Sequence, residues 1–302
     1  FHIDDWKYFS RIREDFEQYG RSREQIDKVT DKTKSIIKEK GYVSSRDIKY
    51  DEKVDWSWNP TTLSRATLES LYFRGELIVH HKEGTIKYYA LASEHIPKDI
   101  LNARDPHLFL EEYLEWRALR RIGAVGMLWN KPSDAFLGVG LKSAQRNEIF
   151  KKLLENDKII EIEVEDTTNA FYCLLDDMPL LELVMDNEKF AERTEFIAPL
   201  DNMLWDRKLV KEIFNFEYKW EIYTPIAERK YGYYILPIIS GVDFIGRIEI
   251  VNDRTLKQLI IKNIWYEERI DKTVEYFSNI NDCIERFAKF NNCLSIKYES
   301  KI

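Results

Sequence analysis

The residues best suited to chemistry lie in one stretch, residues 196–237, which is dense in charged and aromatic side chains. Near its start stand Asp201, Trp205, Asp206 and Arg207. Asp201 follows a proline and is well placed to cap a short helix, with Trp205 one turn later. In a structural interpretation the tryptophan packs, and Asp206 pairs with Arg207 at the surface. In a binding interpretation all four line a cleft, and the two alternatives stay open here.

The end of the same stretch is basic and aromatic, with the sequence ERKYGYY. Arg229 and Lys230 could contact phosphates, and Tyr231 or Tyr233 could stack on a base. Cations and flat rings around a glycine turn suit a DNA strand. Arg229, Lys230, Tyr231 and Tyr233 are therefore candidate DNA-binding residues.

The elements that must position these residues begin with helices. Apolar spacing and capping residues predict helices over residues 4–19, 22–40, 44–48 and 59–74, then a hairpin over residues 76–92 that turns at Glu83-Gly84. Helix, short helix, helix, hairpin is the order of a winged helix. The order recurs with a helix over residues 108–122, a short helix at 133–139, a helix over 143–156 and a hairpin over 158–175. The sequence therefore predicts tandem winged helices. Two unrelated α+β modules are the alternative.

From about Thr194 the pattern changes to strands. Strands are predicted at residues 218–223, 233–239, 244–251 and 256–265, followed by a helix at 272–290 and a last strand at 294–298. We therefore predict an α+β protein with tandem winged-helix domains and a β-rich, barrel-like C-terminal domain. Residues 1–20 open in the middle of a pattern and without methionine, which indicates the tail of a truncated first winged helix. Residues 21–100 and 101–190 are then two winged helices, and residues 191–302 the C-terminal domain.

Two further groups of candidates lie in the predicted winged helices. Trp56 and Trp58 face the same way if the segment is extended, which suits core packing, stacking on a nucleic-acid strand or a seam between modules. Lys142 and Arg146, together with two later lysines, form a basic helix face. A solvated helix surface explains that face equally well, so both interpretations stay open.

Composition excludes several classes of protein. The chain of 302 residues has 44% hydrophobic and 33% charged residues, as an ordinary folded protein has. No apolar run is long enough to span a membrane, and three dispersed cysteines indicate a reducing cytoplasm, with neither a disulfide scaffold nor a zinc site. Phosphate-binding and dinucleotide-binding glycine motifs are absent, and we expect no cofactor. A net charge of −7 argues against a protein that coats DNA, although a local basic groove is compatible with it.

The stretch at residues 196–237 resembles the signature of the winged-helix DNA glycosylases of the AlkZ/YcaQ type. The match runs without gaps through an acid–Trp–Asp–Arg cluster, a Phe-x-Phe-x-Tyr run and a basic Tyr-Gly-Tyr turn. The matching positions are Pro199, Asp201, Trp205, Asp206, Arg207, Phe214, Phe216, Tyr218, Glu221, Tyr223, Pro225, Arg229 or Lys230, Tyr231, Gly232, Tyr233, Leu236 and Pro237. The opening DDWKYF and the run WSWNP also fit the layout of this family, so the resemblance covers essentially the whole chain.

The resemblance implies winged helices and a β-rich domain that clasp duplex DNA, and excision of alkylated purines, including N7-linked crosslinks. It also implies a catalytic Gln-x-Gln or Gln-x-Asp motif upstream of the segment that begins this chain. Gln25-Ile26-Asp27 has that spelling but falls inside an amphipathic helix in the wrong part of the layout, so we assign no catalytic residue. We expect this chain to be the DNA-binding body of such a glycosylase and inactive alone.

Two rival hypotheses come from other classes of protein. One is a non-catalytic winged-helix regulator, and the other is a protein-interaction scaffold. In the leading hypothesis the partner is double-stranded DNA, no membrane is involved, and the protein is a cytoplasmic monomer that joins the nucleoid when bound to DNA.

Overall fold

The computed structural model describes residues 2–57, 59–186, 192–270 and 274–299, with the side chains of residues 274 and 275 left aside. The chain divides into two compact units, Phe1–Tyr113 and Leu114–Ile302. Both helices and strands form each unit, so the α+β class is confirmed. In the described part of the chain, no helix combines the length and apolar character that crossing a bilayer requires.

The first unit is built from helices followed by a hairpin. A 3₁₀ helix over Ile3–Phe9 leads into α1 (Ser10–Tyr19), α2 (Arg23–Lys40), β1 (Lys53–Val54), β2 (Thr61–Thr62), α3 (Leu63–Phe73), β3 (Leu77–Glu83), β4 (Ile86–Leu91), α4 (Ala92–His95) and α5 (Lys98–Leu101). The helical spacing of Leu68 and Leu71 places both on the face of α3 that packs against Ile37 of α2 and Leu77 of β3. Gly75 ends this helix with φ +79°, a conformation that favours glycine, and so lets the chain turn into the hairpin.

Helix α6 (Leu110–Val125) begins at the end of the first unit, and most of it belongs to the second. The further elements of the second unit are β5 (Leu128–Trp129), α7 (Ser143–Glu155), β6 (Ile159–Glu163), β7 (Ala170–Leu174), α8 (Met178–Met185), β8 (Thr194–Phe196), α9 (Arg207–Phe214), β9 (Ile235–Ser240), β10 (Asp243–Asp253), β11 (Gln258–Tyr266), α10 (Val274–Phe290) and β12 (Ser295–Tyr298). Strands β5, β7 and β6 form a small antiparallel sheet.

The larger sheet has five strands in the order β12-β11-β10-β9-β8. Its pairs are antiparallel except β11 with β12. Apolar residues of β9, β10 and β11 meet Ile280 and Ile284 of α10 in a buried core. Register shifts in β10 between Phe244 and Gly246 and between Glu249 and Ile250 bend the sheet, as bulges do. One face of the curled sheet thus packs against α10.

Most elements predicted from the spacing are confirmed. The helices expected at residues 22–40, 108–122 and 143–156 correspond to α2, α6 and α7, and both hairpins form where expected. The strands expected at residues 233–239, 244–251 and 256–265 correspond to β9, β10 and β11. The winged-helix character of the repeats and the division into four domains stay predictions.

Three local predictions are wrong. Residues 44–48 form a turn because the Asp47 carboxylate accepts bonds from the backbone N and the Oγ of Ser44, both at 2.7 Å. The helix expected from residue 59 begins at Leu63, because Thr61–Thr62 pair with Lys53–Val54. Residues 218–223 form no strand; Glu221–Tyr223 is a 3₁₀ turn instead. Strands β1, β2, β5 and β8 and helices α4, α5 and α8 were not predicted.

Candidate nucleic-acid interface

The second unit contains an open cavity of about 630 Å³ formed mainly by the stretch at residues 196–237. Its walls come from α9, the segment after it, the loop before β9 and two strands of the large sheet. The lining residues are Arg207, Lys208, Lys211, Asn215, Glu217, Tyr218, Lys219, Glu221, Lys230, Tyr231, Ile235, Arg247 and Glu267. Six are basic and three are acidic, so the cavity is positive although the chain carries a net charge of −7.

Helix α9 supplies the basic wall. Its sequence RKLVKEIF buries Leu209 and Val210 and leaves Lys208 and Lys211 on the exposed side. The helix ends at Asn215, whose left-handed backbone (φ +48°) turns the chain back along the cavity. Because of this helical spacing, Lys208 and Lys211 lie on the side of α9 that lines the cavity.

Arg247 of β10 is a buried cation of the cavity wall, with a side chain only 5% exposed. Its Nη2 donates to the backbone oxygen of Glu217 at 3.0 Å and to the Glu267 carboxylate at 2.9 Å. The guanidinium carbon lies 4.2 Å from the centre of the Tyr231 ring and 4.6 Å from that of Phe216. These contacts fix the position of the guanidinium group, because cations bind the faces of aromatic rings.

Glu221 is a buried carboxylate that organises the basic turn. Its Oε1 accepts from the backbone N of Lys230 at 2.9 Å, and its Oε2 accepts from Tyr231 at 2.9 Å and Gly232 at 3.2 Å. Burial raises the pKa of Glu221, but these three backbone N–H groups together outweigh burial, so the pKa lies below its ordinary value. The carboxylate thus stays charged and holds Lys230 and Tyr231 at the cavity.

Gly232 permits this turn to lie against the sheet. A Cβ at this position would meet Oε1 of Glu249 at 2.9 Å and Cδ1 of Ile235 at 3.0 Å, closer than ordinary contacts. A larger residue at this position would have to displace the ends of the Glu249 and Ile235 side chains.

Four of the cavity cations have no carboxylate within ion-pair distance among the described residues: Arg207, Lys208, Lys219 and Lys230. Lys211, in contrast, is paired with Glu217. The guanidinium carbon of Arg207 lies 5.9 Å from the centre of the Tyr218 ring, and the Lys230 ammonium lies 5.0 Å from that of Tyr231. Unpaired cations beside aromatic rings can bind an anionic ligand.

Tyr218 contributes structure to the cavity wall. Its hydroxyl donates to the backbone oxygen of Ile235 at 3.0 Å, and burial raises the pKa of this phenol. The hydroxyl therefore stays protonated at neutral pH and ties the segment after α9 to β9.

Asp206 has a structural role that the sequence did not indicate. Its Oδ1 accepts from the backbone N of Lys208 at 3.1 Å and of Leu209 at 3.0 Å, which caps α9. Its Oδ2 accepts from Nε1 of the buried Trp129 at 2.7 Å. The interpretation in which Asp206 pairs with Arg207 at the surface is wrong, because Asp206 is buried and accepts a hydrogen bond from Trp129.

The neighbours of Asp206 also have local partners. The exposed Asp201 caps a 3₁₀ turn through Met203 N at 3.0 Å, as its position predicted. Trp205 donates from Nε1 to the Leu200 oxygen at 3.1 Å, and the Arg121 guanidinium carbon lies 5.1 Å from the centre of its ring. Trp205 is half-buried, and neither it nor Asp201 lines the cavity.

Two more candidates at the basic turn lie outside the cavity. Arg229 donates from Nε to the Thr224 oxygen at 2.8 Å, and its guanidinium carbon lies 5.1 Å from the centre of the Tyr233 ring. Tyr233 is exposed. These two residues form a cation–aromatic pair on the surface of the turn.

The remaining candidates are distributed over both units. Trp56 of the first unit is half-buried against an apolar cluster and donates from Nε1 to Glu69 at 2.6 Å, which agrees with the packing interpretation. Trp58 lies outside the described residues. In the second unit Lys142 is exposed, but Arg146 is buried and donates to Oδ1 of Asn130 at 2.8 Å. Arg146 is therefore not on the exposed face of α7.

Arg247, Lys208 and Lys219 line the cavity but were not predicted to do so. Arg247 is the one cation of the mostly apolar run FIGRIEI, and a cation inside a buried strand was the signal that could have identified it. Lys208 and Lys219 have no such signal, since single exposed lysines are common on any surface.

The fold and the cavity define a mixed α+β protein with a basic pocket on a curled sheet. Residues 1–290 match the family of AlkZ-like DNA glycosylases, and the chain belongs to this family. Among solved structures, DNA glycosylase AlkZ of Streptomyces sahachiroi is similar to this chain, with a TM-score of 0.57 over 98% of this chain and 76% of that chain. Because the two sequences are 13% identical, this likeness concerns the fold. The resemblance stated from the sequence is confirmed.

Proposed function

We propose that this protein is the DNA-binding body of a DNA repair glycosylase that acts on N7-alkylated purines in duplex DNA, including purines in interstrand crosslinks. In this proposal residues 21–190, with their repeated order of helices and hairpin, form two winged helices, and residues 191–302 form the third module. The protein works as a cytoplasmic monomer. The single observation that carries the proposal is the positive cavity in a net acidic member of this family.

The chemistry of the substrate suits such a protein. Alkylation at N7 gives the purine a positive charge, so the base is already a good leaving group and needs little protonation. The enzyme must then hold the damaged strand, position water and stabilise a sugar that develops positive charge. The cations and aromatic rings of the cavity support the first of these tasks. We assign hydrolysis to none of the described residues. Gln25 and Asp27, which have the spelling of the catalytic motif, are exposed on α2 on either side of the fully buried Ile26, and Asp27 is paired with Arg74.

A non-catalytic DNA-binding regulator is the second candidate. The cavity is compatible with it, since the same cations and aromatic rings could bind DNA without excising a base. A protein-interaction scaffold is the third candidate. The cavity cations that lack a carboxylate partner among the described residues suit a DNA strand better than they suit this candidate. Binding to DNA separates the first two candidates from the scaffold.

We predict that the chain binds duplex DNA with strong dependence on salt. Each neutralised phosphate contributes a slope of about −0.9 to log K against log salt concentration, so the four unpaired cations imply a slope of about −3.6. Affinity should then fall roughly a hundredfold between 50 and 200 mM salt. Fluorescence anisotropy with a labelled duplex measures this slope. Binding that is flat across the same range contradicts the DNA-binding role and favours the scaffold.

A further inference from the structure

The cavity contains a buried cation with hydrogen-bond donors left over. Both contacts of Arg247 use Nη2, and none of the described residues accepts a bond from its Nε or Nη1. A guanidinium carries five N–H donors, and buried donors are normally satisfied. The unused donors belong to a side chain that is only 5% exposed and lines the cavity. Because Nε is shielded from solvent, an acceptor that enters the cavity would satisfy the donors of Nη1.

We propose that this cavity binds a phosphate of a DNA strand, with Arg247 contacting one phosphate and the unpaired cations contacting its neighbours. The inference deepens the proposed function and rests on it. Oxygen acceptors on a compact anion match a guanidinium whose place is already fixed by Tyr231 and Phe216. The binding site is thus formed before the ligand arrives.

The number of cations favours a strand over a small free anion. Besides Arg247, the cavity exposes Arg207, Lys208, Lys219 and Lys230, none of them with a carboxylate partner among the described residues. A single monoanion needs fewer charges, whereas a DNA backbone presents one charge per phosphate along its length. A volume of about 630 Å³ lies within the usual range for ligand sites of about 300–1,000 Å³, so a nucleotide unit fits.

The Glu221 contacts explain how the site is kept in shape. Glu221 fixes the backbone of Lys230 and Tyr231, and Tyr231 in turn packs on Arg247. The turn and the strand are therefore coupled through one ring. Through this coupling, Glu221 keeps Lys230 close to the buried Arg247.

The test compares two double variants with equal loss of charge. Arg207→Gln with Lys230→Gln removes two cations of the cavity, and Arg254→Gln with Lys262→Gln removes two exposed cations of the same unit that do not line it. Anisotropy with a labelled duplex gives Kd and the salt slope, and thermal unfolding verifies folding. We expect the cavity variant to lose roughly tenfold or more in affinity and about two units of salt slope. The control variant should stay within about twofold of the wild type.

The outcomes separate the two levels of the proposal. A wild-type chain that binds no DNA overturns the proposed function, whereas a chain that binds DNA but whose two variants behave alike overturns only the phosphate site.

A second arm titrates the wild type with dAMP. Binding of dAMP weaker than about 1 mM supports the strand, and micromolar binding that the cavity variant abolishes would reassign the cavity to a free nucleotide. If the double variant unfolds, the single variants Arg207→Gln and Lys230→Gln are compared with the control.

Discussion

Replacing Asp206 by alanine is expected to lower the free energy of unfolding by about 3 kcal/mol. The substitution removes the N-cap of α9, which is worth about 1 kcal/mol. It also leaves Nε1 of the buried Trp129 without its acceptor, which costs about 1–3 kcal/mol. Urea denaturation followed by circular dichroism measures the change. Because α9 supplies the basic wall of the cavity, DNA affinity should fall with stability.

The chain offers a matched control for this substitution. Asp201 is the same residue type in the same segment and caps a turn through one bond, but it is exposed. Asp201→Ala should therefore cost less than about 1 kcal/mol. Equal effects of the two substitutions would show that the bond between Asp206 and Trp129 contributes nothing.

Replacing Glu221 by glutamine should loosen the basic turn and reduce stability by about 2 kcal/mol at neutral pH. Glutamine retains one oxygen, so its NH₂ group faces at least one of the N–H groups of Lys230, Tyr231 and Gly232. Hydrogen exchange of these amides should become faster. Glu228→Gln is the control, because Glu228 is exposed in the same segment and loses the same charge.

The effect of Glu221 should depend on pH in a defined direction. Its pKa in the folded protein lies below the ordinary value of 4.5, so the carboxylate stabilises the fold fully above about pH 4.5. This stabilisation is lost as the pH falls through the lower pKa of the folded state. The difference between wild type and Glu221→Gln should therefore shrink below pH 4.5. A difference that grows on acidification would contradict this assignment.

The sequence predicted the parts of the fold that depend on local spacing. The period of α2 and α7 and the alternation in the two hairpins are properties of neighbouring residues, so they could be read directly. The turn at residues 44–48 has the same composition as a capped helix start. It could not be distinguished from one, because the decisive bonds of Asp47 go back to Ser44.

The candidate site was predicted in location but not in the roles of its residues. The stretch at residues 196–237 does form most of the cavity, yet Asp206 proved structural because its partner Trp129 lies 77 residues away. Arg247 belongs to a strand outside that stretch and meets it only in the folded chain. Contacts between distant segments decide these roles, and local spacing carries no information about them.

Release of a damaged base is the most direct test of the central claim that this protein belongs to a base-excising enzyme. The longest form of the protein that its gene encodes is incubated with duplex DNA containing 7-methylguanine, and the free base is quantified by chromatography and mass spectrometry. Our account predicts release at least roughly tenfold faster than from the same DNA without protein. Release at the spontaneous rate, with duplex binding intact, would contradict it and leave a DNA-binding protein without glycosylase activity.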